Sequence, residues 1–222
     1  MKRYLAFIII GVVALTTLAG SPLLCQTMQP HRLTISADKT MSGRSTTRSV
    51  HIRGNPDAPV TLEEFGDFEC PPCGHLSEPI NQLEHDYRGR VCVIFRNFPL
   101  ANHKHARDAA QAAEAAGLQD RFWQMHDVLY REQALWSISE DVRSLFKAYA
   151  GTIGANVPQF EKDIDSEQVK KRVAADQQQG NTLGVSTTPS IFINDQAVPV
   201  AQINPPGLRA AVDAALKQKA QK

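Results

Sequence analysis

The chain has 222 residues, 42% hydrophobic and 21% charged, with a net charge of +1. That composition excludes a wholly disordered, collagen-like or multiply membrane-spanning chain, and so even a balance gives no reason to expect a nucleic-acid partner. Its 4 cysteines are too few for a disulfide-stapled miniprotein.

The even balance hides an asymmetry. Residues 1–53 carry seven Lys/Arg against one Asp, a net +6, while residues 54–222 carry 17 Lys/Arg against 22 Asp/Glu, a net −5. Lys2 and Arg3 precede an apolar run from Tyr4 to Leu15, and small residues from Thr16 to Ser21 follow. Residues 1–21 therefore read as a signal peptide, with Thr17 and Ala19 at its cleavage site, or as a retained N-terminal membrane anchor. The run is short of the roughly 20 apolar residues of an ordinary span. Cys25 raises lipidation as a third option, but Leu24 stands where such a signal carries a small residue. Each reading places the body outside the cytoplasm, where disulfides persist. Residues 22–53 are rich in Ser, Thr, Arg and Gln with no sustained apolar period, so they read as a flexible basic tether.

The body is expected over residues 54–218, with 219–222 as a tail. Val60–Phe65 reads as a strand entered through Pro59. Cys70-Pro71-Pro72-Cys73 follows, then a helix over His75–Tyr87 with Leu76, Ile80, Leu83 and Tyr87 on one face. Val91–Arg96 is a second strand, which completes a βαβ pattern. A helical insertion is expected over about residues 102–183, with helices over His105–Ala116, Arg121–Arg131, Asp141–Ala150 and Ser166–Leu183 and a short one within Val157–Asp165. Ser190–Ile193 and Ala197–Val200 then read as strands flanking a turn at Asn194-Asp195-Gln196. Asn204 caps a last helix that opens on Pro205 and Pro206 and buries Leu208, Ala211, Val212, Ala215 and Leu216. The expected class is α/β: a mixed sheet flanked by helices, with a helical domain inserted between its halves.

Cys70 and Cys73 sit where a strand hands over to a helix. A sulfur there faces unpaired backbone N–H groups and the positive end of the helix dipole, which favour thiolate over thiol. The thiolate is the nucleophile of disulfide exchange, and a low-pKa thiolate is also a good leaving group. Cys70 is expected to attack and Cys73, one turn on, to resolve. Pro71 and Pro72 can open a helix because its first positions need no N–H donor, but they withdraw two amides from the Cys70 sulfur and so tune it upward. A structural disulfide here would close a tiny loop and stabilise little. A metal site is the alternative from another class, with Cys70 and Cys73 joined by His75, His103 or His105, but no second Cys pair is available to zinc. Cys92, alternating with Val91 and Val93, reads as a buried small hydrophobe, and Phe122, Trp123, His126 and Trp136 read as packing.

Three stretches resemble DsbA-type thioredoxin-fold proteins: Val60 to Cys73 (VTLEEFGDFECPPC), Phe95 to Leu100 (FRNFPL) with His103 or His105 and the Ala-rich helix after it, and Leu183 to Asn194 (LGVSTTPSIFIN). The resemblance spans about residues 50–218. It implies a thioredoxin fold with an inserted helical domain, and a thiol:disulfide oxidoreductase that needs no cofactor beyond its own Cys70–Cys73 disulfide. It implies a cis peptide before Pro189, with the Thr188 backbone offered to an extended substrate. Glu64 matches a buried acid beneath Cys73 that exchanges protons with it, whereas Glu63, on the other strand face, is expected to be exposed. The partners it implies are exported proteins with cysteines and a membrane-bound redox partner. The expected direction is oxidase, favoured because residues 22–53 show no heptad or amphipathic helix of the dimerising kind, but the Pro71-Pro72 dipeptide departs from the Pro-His of strong oxidases, so isomerase or reductase stays open as the alternative. Asp195 stands where a Gly is common, which bears on turn geometry.

Overall fold

A computed structural model describes residues 51–221. The expected leader, Cys25 and all but the last three residues of the expected tether lie outside the described residues. In chain order the elements are β1 (Ile52–Gly54), β2 (Val60–Gly66), α1 (Pro71–Tyr87), β3 (Val91–Asn97), α2 (Ala106–Gly117), α3 (Phe122–Arg131) and α4 (Gln133–Trp136). They continue with α5 (Val142–Thr152), α6 (Val157–Asp163), α7 (Glu167–Thr182), β4 (Ser190–Ile193), β5 (Gln196–Ala197), a 3₁₀ turn (Val200–Gln202) and α8 (Pro205–Ala220). Among the described residues no helix is long and apolar enough to cross a membrane.

The strands form one mixed sheet in the order β1-β3-β2-β4-β5. β2 and β3 run parallel across the α1 crossover, while β1, β4 and β5 pair antiparallel to their neighbours. Alternation along β2 sends Val60 and Leu62 to one face, where they pack with Leu76, Ile80 and Leu83 of α1 and Leu208 and Val212 of α8. Phe65 faces the other way and packs with Phe98, Val185 and Phe192. α7 covers that second face closely because it carries Gly180, where a Cβ would lie 2.7 Å from the Phe98 ring. The helices α2 to α7 occupy the stretch between β3 and β4 and share a core with Phe68, Cys70, Cys73 and Phe95.

Helix starts follow local chemistry. Asp141, Asn156, Ser166 and Asn204 each accept a hydrogen bond from a backbone N–H three residues on, at the heads of α5, α6, α7 and α8. Asp141 and Ser166, expected as first helical residues, are thus caps.

Four expectations are corrected. The tether was expected through residue 53, but His51 is buried and Ile52 and Arg53 lie in β1, paired with Ile94 and Val93. Distant groups hold them there. Trp123 Nε1 donates to the Ile52 carbonyl at 3.0 Å, and Arg53 bonds both Asp127 oxygens at 2.9 and 2.8 Å while lying over the Trp123 ring. The turn is a two-residue one at Asn194-Asp195, both at positive φ, so Gln196 belongs to β5 and Val200 opens the 3₁₀ turn. Asn and Asp tolerate that left-handed geometry, which is how the turn does without Gly. α8 runs through Ala220, two residues into the expected tail. Glu63 is covered rather than exposed, because α7 lies over its face. Its carboxylate accepts from Arg96 Nε at 2.7 Å and from Gln179 Nε2 at 3.3 Å.

Candidate active site

Cys70 is the N-cap of α1, with Pro71 and Pro72 in the first two helical positions. Both prolines are exposed and withdraw no bond the helix needs. Cys73 then supplies the first amide N–H of the helix. Cys70 and Cys73 are thiols in this structure and differ in access: Cys70 is 5% exposed and Cys73 wholly buried. The Thr188–Pro189 peptide is cis, as the resemblance implies, and brings the Thr188 carbonyl to 3.3 Å from the Cys70 sulfur, which donates to it. The loop before β4 and the head of α1 therefore meet at the Cys70 sulfur.

The two thiols are driven apart in acidity. A hydrogen bond from the Cys73 thiol lowers Cys70 from an ordinary 9.0 to about 6; burial opposes this, and Thr188 and the Cys73 amide assist. The Thr188 hydroxyl has no other partner, so a thiolate at Cys70 is what it can serve. Cys73 is pushed far up, first by burial, then by the bond it gives Cys70 and by the charge of Glu64. Glu64 is buried on β2, has an unpaired Oε1, and is raised from 4.5 to about 8 by burial first and the charge of Cys70 second. The site thus holds one ready nucleophile, one protonated thiol behind it, and beneath them a carboxyl that can hold or release a proton near neutral pH.

Alkylation of the reduced protein checks this directly. The rate at Cys70 should follow its thiolate, falling as pH drops through about 6. Cys73 should stay unreactive throughout. Iodoacetamide kinetics with mass-spectrometric assignment read both, and a midpoint near 9 would contradict the arrangement.

Several residues at the site carry no role in the sequence reading. Gln133 of α4 donates from one Nε2 to the carbonyls of Phe68 (2.6 Å) and Cys70 (3.0 Å), tying the helical insertion to the corner before α1. Asp67 is buried and accepts from the amides of Glu69 and Leu100 and from His103 Nδ1, each at 2.8 Å. The Glu69 carboxylate takes the amide of His105. Tyr130 lies buried beside Phe68. Asp67 and Glu69 stand inside the stretch that carries the resemblance, whereas Gln133 and Tyr130 have no local signal. His75 is exposed on α1, the His103 ring is engaged by Asp67, and His105 gives its backbone amide to Glu69. Among the described residues no group of three or more His, Cys, Asp or Glu is placed to hold a metal ion. Cys92 is buried in β3, its sulfur 3.5 Å from the Thr61 hydroxyl, and Phe122, His126 and Trp136 are core residues.

Comparison with known proteins agrees with this geometry. The family model described as thioredoxin matches residues 46–214. The chain is 33% identical over 174 residues to a probable disulfide bond formation protein D of Bacillus anthracis, covering 74% of this chain and 77% of that one. It superposes on crystalline oxidised BdbD of Bacillus subtilis with a TM-score of 0.66 and 26% identity, covering 75% of this chain and 92% of that one. It is also 38% identical over 147 residues to a Na(+)/H(+) antiporter NhaA 1 of Mycolicibacterium gilvum, where the match takes 65% of this chain but spans only 23% of the antiporter's length. Cys-x-x-Cys at the head of α1, the cis-proline loop facing it and the family match lead to one assignment: the chain belongs to the thioredoxin-fold family of DsbA-like thiol:disulfide oxidoreductases.

Proposed function

We propose that this protein introduces disulfides into exported proteins by exchange at Cys70–Cys73. In the oxidised enzyme a substrate thiolate attacks the Cys70 sulfur, the Cys70–Cys73 bond breaks, and a mixed disulfide to Cys70 forms. A second substrate thiolate then displaces Cys70, leaving the substrate oxidised and both enzyme thiols reduced. A membrane-bound partner takes the electron pair and restores the Cys70–Cys73 disulfide. Thr188 and Pro189 hold the substrate backbone in extended form beside Cys70, as an added strand is held. In the reverse sense Cys70 attacks, Cys73 resolves, and Glu64 takes the Cys73 proton.

The observation that carries the oxidase direction is the lowering of Cys70 to about 6. A thiolate stabilised in the folded reduced state makes reduction of the disulfide more favourable, and so makes the enzyme a stronger oxidant. The basic and apolar leader of residues 1–21 supports export, and with it an oxidising compartment. Equilibration of the Cys70–Cys73 pair with glutathione tests the direction. A potential toward about −120 mV is expected, whereas one near about −270 mV would make the protein a reductant.

A further inference from the structure

Tyr130 carries a hydroxyl that the exchange chemistry leaves without a use. Its ring packs among Phe68, Phe95 and His126, with centroids 4.9, 6.3 and 4.9 Å away. Its oxygen is buried and has no hydrogen-bond partner. A phenylalanine would fill the same space without stranding a polar atom, and such groups in native proteins call for a reason.

The reason lies across the sheet. Tyr130 projects from α3 onto β2 at Gly66, where a Cβ would sit 3.0 Å from the hydroxyl and 2.5 Å from the Phe95 ring. Gly66 is two residues from Glu64, so both belong to the same strand face. Glu64 carries the other stranded oxygen of this region, Oε1. Two buried oxygens, one a donor and one an acceptor, thus share one face of β2 under the redox helix. We infer that Tyr130 is a positioning residue for the resolving step: its O–H hydrogen-bonds to the Glu64 carboxylate through one bridging water and stabilises the form of Glu64 that takes the Cys73 proton.

The Cys73 thiol gives its proton to the Glu64 carboxylate, and its sulfur attacks Cys70 of the mixed disulfide. The Cys73–Cys70 bond forms, the Cys70–substrate bond breaks, and the substrate sulfur leaves with the electron pair and is protonated from solvent. Tyr130 keeps its proton throughout, because burial and the charges of Cys73 and Glu64 hold it well above the usual tyrosine range. The other titratable groups facing this region are Cys70 on α1, Asp67 after β2, and His126 on α3. His126 is held toward neutrality by burial and pairs with Asp127, which also binds Arg53. Opposite Glu64, β3 presents Phe95 and β4 presents Ile191, neither titratable.

The inference rests on the proton role proposed for Glu64, and the experiment separates the two. Cys70 is loaded with a glutathione mixed disulfide, and its release by Cys73 is timed from about pH 5 to about pH 9 in the wild type, Tyr130→Phe, Glu64→Gln and the double variant. Tyr130→Phe should move the midpoint to higher pH and slow release at neutral pH by up to about tenfold, while Cys70 alkylation stays unchanged. Glu64→Gln should lose the pH step, with the double variant no slower than Glu64→Gln alone. A Tyr130→Phe profile that overlays the wild type, with the Glu64→Gln step lost, overturns the inference and leaves the Glu64 role standing. A Glu64→Gln profile that keeps its step overturns both. Should Tyr130→Phe fold poorly, 3-fluorotyrosine at position 130 keeps the ring and strengthens the donor. It should then move the midpoint the other way, and an unmoved midpoint overturns the inference.

Discussion

Replacing Cys73 with Ser turns the protein into a covalent trap. The Cys70 thiolate still attacks a substrate disulfide, because its place at the head of α1 and its contact with the Thr188 loop do not depend on Cys73 turning over. The resulting Cys70–substrate bond then has no second sulfur to break it. Adducts should accumulate, resist non-reducing electrophoresis and dissolve with dithiothreitol, and multiple turnover should disappear. Cys70→Ser should form none, since the remaining Cys73 is wholly buried and its thiol is pushed far up. Equal adducts from Cys70→Ser, or none from Cys73→Ser, would refute the assignment of attacking and resolving sulfurs. Mass spectrometry of the adducts identifies the linkage and the partners together.

The second large effect is on stability. Glu114 of α2 is almost fully buried, yet it accepts from Asn97 Nδ2 and bonds His51 Nε2, both at 2.7 Å, with Arg172 at 3.7 Å from its other oxygen. Asn97 in turn binds Asp176 of α7, whose other oxygen takes Arg96 at 3.1 Å. Burial pushes Asp176 above the usual carboxylate range although Arg96 pulls it down. The network ties β1, β3, α2 and α7 into one unit. Glu114→Ala should cost about 3–5 kcal/mol, the range for removing one partner of a buried ion pair, because it strands groups that cannot reach water. For a chain of this size that lowers Tm by roughly 2–4 °C per kcal/mol. Glu114→Gln keeps an acceptor for Asn97 and should lose distinctly less. Urea unfolding decides: Glu114→Ala within about 0.5 kcal/mol of wild type, the range of an ordinary surface change, would mean the network adds nothing. Hydrogen exchange should show β1 opening first in the variant, since His51 is stacked on Phe122 at 3.4 Å and bonded to Glu114 just before that strand begins.

The contrast between these two residues marks how far the sequence reads. Cys70 and Cys73 were legible because their chemistry is local. The spacing, the strand before them and the helix after them together imply a sulfur at a helix N-terminus, and the structure has that sulfur as the N-cap. The helix cap at Asn204 was legible for the same reason, since the side chain and the amide it captures are three residues apart. Glu114, by contrast, sits in an Ala-rich helix with nothing nearby to mark it. Its partners His51 and Asn97 lie 63 and 17 residues away. Glu63 failed for a related reason. Alternation says which face of β2 a side chain takes but not what covers that face, and here it is α7.

By itself the sequence determined most of the elements, their order and the place of Cys70 at a helix head, but not β1 or α4, because helix periodicity, strand alternation and capping act over a few residues. Only the tertiary structure decided which distant groups tune the Cys70–Cys73 pair. The loop at Thr188 comes 118 residues after Cys70, and Gln133 63 residues after it, while Tyr130 reaches β2 from another helix. The same packing placed Arg96 between the covered carboxylates of Glu63 and Asp176. Desolvation and hydrogen bonding depend on distance through space, which the order of residues does not encode until the chain has folded.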